Sequence, residues 1–187
     1  VPWSPRAGGK GYDYATTFSF PLEELINTYV PQFSGILNAY SGRNGIHLHS
    51  EYLGVAVLIL AVLGFGAVRL TRRRAFARFW LGTMIVALLW ALGNSTPFFH
   101  LIYAIVPGTK FFRAPSTIIY VVALAIAVFA ALGLERVLAR EYTRRFLTGW
   151  AVAAGLMLLL GVSGVLTSMA TAVAIPQLVD RVADNAG

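Results

Sequence analysis

The sequence predicts an all-α integral membrane protein with about four transmembrane helices, a short interfacial or re-entrant helix and an outward-facing N-terminal segment. Hydrophobic residues make up 57% of the 187 residues, and charged residues only 12%. The mean hydropathy is +0.69. Because a soluble domain carries about 25% charged residues, this composition indicates a membrane protein. The lack of cysteine excludes disulfides and thiolate metal sites.

Long apolar stretches predict where the chain crosses the membrane. A helix needs about 20 apolar residues to cross about 30 Å of hydrocarbon. The predicted spans are residues 52–68, 79–96, 117–134 and 146–174, all inside a transmembrane region 51–187. The apolar run 98–106 has nine residues, too few to cross. It therefore predicts a helix that lies in the interface or dips in and returns.

The basic residues predict the orientation of the spans. The loop after the first span holds five arginines and no acid, and the loop after the third holds four arginines and two glutamates. These two loops carry the whole net charge of +7. This is the positive-inside pattern, with residues 1–50 and the 94–116 loop outside. Arginine clusters also occur in nucleic-acid-binding proteins, but short loops between apolar spans favour topology, so no nucleic acid is expected.

A segment rich in proline and glycine joins the interfacial run to the third span. We call residues 107–116 (PGTKFFRAPS) the hinge. Pro115 favours an extended residue before it, and Ser116 is the expected N-cap of the next helix. Lys110 and Arg113 would then lie just outside that helix. There they either anchor the chain by reaching lipid headgroups or bind a phosphate.

The N-terminal segment, residues 1–50, predicts an outward-facing loop followed by a short amphipathic helix. Ser19 as N-cap, an early proline and two early glutamates are helix-start signals. Four apolar side chains would share one face of this helix: Leu22, Leu25, Ile26 and Tyr29. We expect that face to rest on the outer leaflet.

Polar residues before the first span have two interpretations. His47, His49 and Glu51 alternate, so on a strand they would share one face as a three-ligand metal site. The favoured alternative is a polar collar where the chain enters the membrane, which His100 would join if it lay close. We therefore expect no metal or other cofactor, and a divalent metal stays the alternative.

The spans themselves predict packing rather than chemistry. Ala123, Ala127 and Ala131 recur every four residues and predict a face where helices approach closely. Ionisable residues at mid-membrane and internal repeats, which are typical of transporters, are absent from the sequence. No HExxH, Walker or GxSxG motif occurs either, so no catalytic residue is predicted.

Three stretches resemble the YfhO-like family of bacterial polytopic membrane proteins. They are residues 18–31 (FSFPLEELINTYVP), 92–103 (LGNSTPFFHLIY) and 106–117 (VPGTKFFRAPST). The family has a Gly-x-x-Thr-Pro segment, then a Pro-Gly turn and Phe-Arg-Ala-Pro-Ser, and then a long Ala/Leu-rich helix. Thr117 stands where the family often has another basic residue. The resemblance covers about residues 18–136.

The resemblance implies a function at the outer membrane face. The family is similar to the GT-C class of membrane glycosyltransferases, which use polyprenyl-phosphate-linked sugars. This chain would be the C-terminal part, with the catalytic carboxylate upstream of Val1. Arg113 and Lys110 would hold the donor's phosphate. The implied partners are membrane lipids, the polyprenyl-phosphate sugar, and the remainder of the protein or a partner membrane subunit. A non-catalytic subunit of a larger complex and a lipid-linked-sugar flippase or transporter stay open as alternatives.

Overall fold

The computed structural model describes residues 9–31, 33–34, 51–70, 73–165 and 168. In these ranges the regular elements are helices and no β-strand occurs, which confirms the predicted all-α class for this part of the chain. The α-helices are α1 (Tyr12–Ala15), α2 (Val55–Phe65), α3 (Ala67–Leu70), α4 (Arg74–Ala91), α5 (Phe98–Ile105), α6 (Ile119–Leu138) and α7 (Arg144–Val162). Short 3₁₀ helices cover Leu22–Thr28, Gly93–Ser95, Thr109–Phe111 and Pro115–Ile118. The chain divides into two compact units, 1–136 and 137–187.

Two helices in the described ranges are long and apolar enough to cross a membrane. They are Arg74–Ala91 and the continuous helix Pro115–Leu138, which contains the predicted span 117–134. The four predicted spans are thus shown only in part. The region of span 52–68 holds the 11-residue helix α2, which is shorter than a span. Of span 146–174, helix α7 covers the residues up to Val162, and most of the remainder lies outside the described residues.

The predicted interfacial run 98–106 is a separate short helix. Helix α5 covers Phe98–Ile105 and ends before the hinge. Its eight residues correspond to about 12 Å, well short of a membrane crossing. Pro97 precedes the first helical residue, where the fixed φ of proline suits a helix start. The local sequence therefore determines both the type and the length of this element.

A buried arginine binds the end of α2. Arg136, which belongs to the second arginine-rich loop of the sequence, is only 6% exposed. Its Nη1 donates a hydrogen bond of 2.9 Å to the carbonyl oxygen of Leu63, in the last turn of α2. A carbonyl there lacks a helical partner. A Cβ at Gly66 would lie 2.1 Å from Arg136 Nη1. A side chain at residue 66 would therefore clash with the guanidinium in this position.

Helices α2 and α6 approach each other through two glycines. A Cβ at Gly64 would lie 1.9 Å from the carbonyl oxygen of Phe129, and a Cβ at Gly133 would lie 1.9 Å from that of Leu60. Within the described residues, the predicted packing face of Ala123, Ala127 and Ala131 is not the buried face of α6, because Ala127 and Ala131 are exposed. The buried face of α6 instead includes larger residues such as Phe129, which is 0% exposed. The glycines, rather than the alanine repeat, set the helix separation.

Helices α4 and α6 run in opposite directions. Arg73, just before α4, forms a 3.0 Å ion pair with Glu135, near the end of α6. At the other end of α4, Ala91 packs in one buried cluster with Ile119, at the start of α6. The first arginine-rich loop and the hinge therefore lie at opposite ends of these two helices, as the charge pattern requires.

The amphipathic helix predicted around residues 19–29 differs in type and in orientation. Leu22–Thr28 is a 3₁₀ helix with Pro21 rather than Ser19 at the N-cap. Its buried side chains are Glu24 and Asn27, whereas Leu22 and Ile26 are exposed. The three-residue period of a 3₁₀ helix separates side chains that an α-helix would align. The predicted apolar face is therefore divided, although two of its members do face outward.

Adding one methyl group at the α2–α6 contact should destabilise the fold. The Gly133→Ala substitution places a Cβ against the Leu60 carbonyl, which overpacks the contact at a cost of about 1–3 kcal/mol. The Gly149→Ala control lies in α7 with no heavy atom within 4 Å of the new Cβ, so it should be neutral or stabilising by up to about 1 kcal/mol. Thermal unfolding followed by circular dichroism measures both. Equal midpoints for the two variants would contradict the contact.

Candidate functional site

The hinge is held by a short extended piece of the N-terminal segment. The Phe18 amide donates a 3.0 Å hydrogen bond to the Arg113 carbonyl, and the Ser116 amide donates a 3.3 Å bond to the Phe18 carbonyl. Two residues on, the Phe20 amide donates to the Ala91 carbonyl at 2.8 Å. Residues 18–20 therefore lie between the hinge and the end of α4. The hinge backbone is positioned by residues far away in the sequence.

A serine and a glycine fix this arrangement. Ser19 Oγ donates to the Thr16 carbonyl at 2.7 Å and accepts from the Asn94 amide at 3.1 Å. Gly93 has φ +49°, and a Cβ there would lie 2.0 Å from Ser19 Oγ. A side chain at this position would be strained by both its backbone conformation and its lack of space. Ser19, predicted as a helix cap, thus joins two distant segments.

A second set of contacts holds the first half of the hinge. The Lys10 amide donates to the Lys110 carbonyl at 3.0 Å, and Tyr103 Oη donates to the Lys10 carbonyl at 2.8 Å. Gly108 adopts the left-handed conformation with φ +96°, which turns the chain after α5. Thr109 Oγ1 donates to the Val106 carbonyl at 3.1 Å. The hinge is therefore an ordered turn supported on both sides.

The helix after the hinge begins differently from the prediction. Ala114, rather than Ser116, occupies the N-cap position, and the first turn is the 3₁₀ helix Pro115–Ile118. The Ser116 amide donates to the Phe18 carbonyl. The Thr117 hydroxyl donates to the Ala114 carbonyl at 2.8 Å. Pro115 does stand at the first helical position, where proline is favoured.

These elements enclose a cleft of about 580 Å³. The end of α4, helix α5 and the hinge supply most of its wall. Its larger lining side chains are Trp90, Phe99, Val106, Phe112 and Ile118. Among the described residues that line it, Arg113 is the one charged side chain. The described part of the cleft thus combines an apolar wall with the Arg113 guanidinium.

Arg113 is held in place without being neutralised. Its guanidinium carbon lies 4.9 Å from the centre of the Phe18 ring, a cation–π contact. In the described part of the chain, no acidic side chain forms an ion pair with it. A guanidinium resting on an aromatic ring keeps N–H groups for a planar, bidentate anion. Carboxylates and phosphates are the groups that fit this geometry.

Lys110 does not join Arg113 in the cleft. The side chain is exposed and its Nζ lies 5.9 Å from the centre of the Tyr103 ring. Lys110 is not one of the residues that line the cleft. The structure therefore separates the two predicted phosphate ligands and brings only Arg113 to the cavity.

The predicted polar collar is described only in part. His47 and His49 lie outside the described residues, and Glu51 is buried. His100 stacks on Tyr12 with ring centres 4.1 Å apart, and its Nδ1 lies 3.2 Å from Tyr12 Oη. Within the ranges that the structure describes, no three metal-ligating side chains group together. His100 therefore has an aromatic partner near the cleft.

Tyr12 links His100 to the wall of the cleft. Its ring also packs edge-on against Phe99 at 6.0 Å and Tyr103 at 5.5 Å. Burial, and secondarily the neighbouring Asp13 carboxylate, raise the pKa of Tyr12 above its ordinary value of 10.0. The phenol is therefore neutral at physiological pH, and its Oη lies within hydrogen-bonding distance of His100 Nδ1.

Comparison with family models, with curated proteins and with solved structures finds no match for this chain.

Removing the Ser19 hydroxyl should loosen the hinge locally. Ser19→Ala deletes the acceptor for the Asn94 amide, at a cost of about 1 kcal/mol. The Asn94 amide should then exchange its hydrogen about fivefold faster, as measured by hydrogen–deuterium exchange. The matched control is Ser163→Ala, since Ser163 Oγ makes only local bonds among the described contacts: it donates to the Leu160 carbonyl at 2.9 Å and accepts from the Val165 amide at 3.4 Å. Unchanged exchange at Asn94 would contradict the assigned role of Ser19.

Proposed function

We propose that this chain is an integral membrane protein whose hinge lies at the outer face and binds the phosphate of a polyprenyl-phosphate-linked sugar. In this proposal it is the C-terminal part of a YfhO-like, GT-C-type glycosyltransferase-like protein of the bacterial inner membrane. The observation that carries the proposal is the apolar cleft with Arg113 as the one charged side chain among its described lining residues. Sequence resemblance supplies the choice of sugar-linked lipid.

Exposed apolar side chains support a membrane location for the first unit. On α4, Phe79 is 65% exposed, and Ile85 and Val86 are each 48% exposed. Beside the cleft, Phe112 of the hinge is 69% exposed and Ile105 of α5 is 67% exposed. Large exposed apolar surfaces mark contact with lipid or with another protein. Their distribution over both the long helix and the hinge favours lipid.

The chemistry of the cleft favours an amphiphile with an anionic head. A polyprenyl phosphate carries its charge at the headgroup level and a hydrocarbon tail below it. Arg113 would bind the phosphate oxygens, because charge-assisted hydrogen bonds from guanidinium are strong and directional. Trp90, Phe112 and Ile118 would contact the first apolar part of the lipid. One cation and an apolar wall match the two parts of such a molecule.

The remaining predicted residues receive supporting roles in this proposal. Lys110, exposed beside Tyr103, would anchor the hinge among lipid headgroups. The cleft would hold and orient the donor lipid, while a carboxylate upstream of Val1, as the resemblance implies, would act on the sugar. A non-catalytic binding subunit would share this cleft. A measurement of glycosyl transfer by the complete protein distinguishes the two, because only the enzyme would have transfer activity.

The orientation can be tested by labelling single cysteines, since the chain contains none of its own. We expect the Phe112→Cys variant to react with a membrane-impermeant maleimide in bacterial cells whose outer membrane has been removed and whose inner membrane is intact. The Arg74→Cys variant, at the opposite end of α4, should react only after permeabilisation. Both residues are exposed, so access to reagent depends on the side of the membrane. Labelling of both from the same side would exclude the proposed topology.

The role of Arg113 can be tested by binding. Arg113→Ala should weaken the binding of undecaprenyl phosphate by about ten- to a hundredfold, the value of a charge-assisted hydrogen-bonded contact. The affinity of Arg113→Lys should lie between those of Arg113→Ala and the unsubstituted chain, because lysine keeps the charge but lacks the bidentate geometry. The control is Arg74→Ala, which removes an exposed arginine at the far end of α4. Microscale thermophoresis on detergent-purified protein measures the dissociation constants.

The amount of folded, inserted protein is compared in the same experiment. A large loss of protein with Arg113→Ala would make Arg113 a structural residue, and equal binding by Arg113→Ala and the unsubstituted chain would refute the phosphate site.

A further inference from the structure

We infer that the arginine-rich end of α4 carries a site for an anionic phospholipid, in which Arg78 binds the phosphate and the neighbouring surface of α4 holds the acyl chains. The inference rests on the proposed function only in assuming that the chain spans a membrane. Because this end of α4 lies opposite the hinge, the site belongs to the other leaflet and does not use Arg113. Neither the cleft nor the resemblance assigns it.

A shallow groove with one charged end runs along α4. It has a volume of about 520 Å³. Two adjacent strips of α4 line it, residues 78, 82, 86 and 90 and residues 79, 83 and 87, together with Ile118 and Val121. Arg78 is the one charged side chain among the described residues of this lining. A cation at one end of a largely apolar surface complements a lipid with an anionic head.

Arg78 is held in position while part of its guanidinium stays available. Its Nε donates a 3.2 Å hydrogen bond to the carbonyl oxygen of Val68, in α3. The side chain is exposed, and among the described contacts its two Nη atoms take part in no hydrogen bond or ion pair. A guanidinium fixed through Nε keeps the N–H groups of both Nη atoms, which can donate to phosphate oxygens.

The surrounding charges favour an anion at Arg78. The Arg73 side chain forms its ion pair with Glu135 at 3.0 Å, so these two charges balance. Arg74, one helical turn before Arg78, is exposed and does not line the groove. In the sequence no aspartate or glutamate occurs between Glu51 and Glu135. The positive charge of Arg78 is therefore not offset by an acid of its own segment.

The depth of Arg78 matches the head of a phospholipid in the leaflet at this end. A long arginine side chain on a helix leans toward the helix start, and the contact with Val68, which precedes α4, agrees with this direction. One leaflet is about 15 Å of hydrocarbon, half of the core, which corresponds to about ten helical residues. Counted from Arg74, the first residue of α4, acyl chains would end near the middle of the helix.

The surface beside Arg78 has room for both acyl chains. Phe79 is 65% exposed and Val86 is 48% exposed. Gly82 is exposed as well, and no heavy atom lies within 4 Å of the place where its Cβ would be. Glycine is otherwise unfavourable in a helix interior. The missing side chain leaves space against the backbone, and a surface two strips wide accommodates the two chains of an ordinary phospholipid.

The test compares two phospholipids with the same tails and different head charges. The probes are dioleoyl phosphatidylglycerol and dioleoyl phosphatidylcholine, each titrated onto detergent-purified protein and followed by native mass spectrometry. We expect phosphatidylglycerol to bind about tenfold tighter, the value of a hydrogen bond to a charged group. Arg78→Gln should bring the two affinities close together. Arg78→Lys should give an intermediate ratio, because lysine keeps the charge but lacks the planar guanidinium.

Matched variants control for general charge and for folding. Arg74→Gln removes an exposed arginine of the same helix and should change the ratio by no more than about twofold, since exposed charges contribute little. Gly82→Leu should weaken both lipids alike, because it fills the acyl part of the groove. Gly149→Leu, at another exposed helical glycine with free space at its Cβ, should change neither affinity. Circular dichroism compares the folding of all variants.

The outcomes that would overturn the inference are distinct. Equal affinities of the unsubstituted chain for the two lipids would mean that this surface contacts lipid without selecting it or is covered by another protein. An effect of Arg74→Gln as large as that of Arg78→Gln would make the preference a general effect of positive charge. Unchanged affinities with Gly82→Leu would show that the acyl chains do not lie in the groove.

The proposed function can fail separately from this site. Each titration is repeated with Arg113→Ala as the parent chain, which removes any binding of phosphatidylglycerol at the cleft, and the effect of Arg78→Gln should be the same in both parents. Loss of that effect in the Arg113→Ala parent would place the preference at the cleft and refute the site at Arg78. If Arg113→Ala leaves the binding of undecaprenyl phosphate unchanged, the proposed function fails while the phospholipid site stands.

Discussion

Hydrogen bonds between residues 18–20 and two distant segments are the constraint on which the candidate site depends. Phe18 pairs with Arg113 and Ser116 through its backbone, and Phe20 pairs with Ala91. The same short segment supplies the ring on which the Arg113 guanidinium rests. Without it, the hinge would have neither its position beside α4 nor an oriented cation. Backbone bonds are suited to this task because they set position independently of side-chain rotamers.

In the first unit, glycines allow segments of backbone to approach each other closely. Gly64 and Gly133 let α2 and α6 meet, and Gly93 lets Ser19 reach the end of α4. Buried Arg136 then satisfies a carbonyl where α2 ends. A long side chain in the interior is costly unless its charge is hydrogen-bonded. Helix α4 itself separates the arginine-rich end from the hinge end by its 18 residues.

The proposed function follows from this separation of polar ends and apolar middle. At the hinge, the cleft offers a guanidinium and an aromatic wall. An amphiphile with an anionic head is the ligand that we propose for this arrangement. Helix α5, too short to cross a membrane, places exposed Ile105 beside the same region, where it would meet the interface.

The sequence by itself determined the helical class, the long apolar helices α4 and α6, the short helix α5, and the separation of the first arginine-rich loop from the hinge. These features depend on local composition and segment length. The tertiary structure decided that Arg113 lines the cleft while Lys110 does not, that Arg136 is buried, and that glycines rather than the repeated alanines bring helices together. Such outcomes depend on contacts between residues far apart in the chain, which no local pattern encodes.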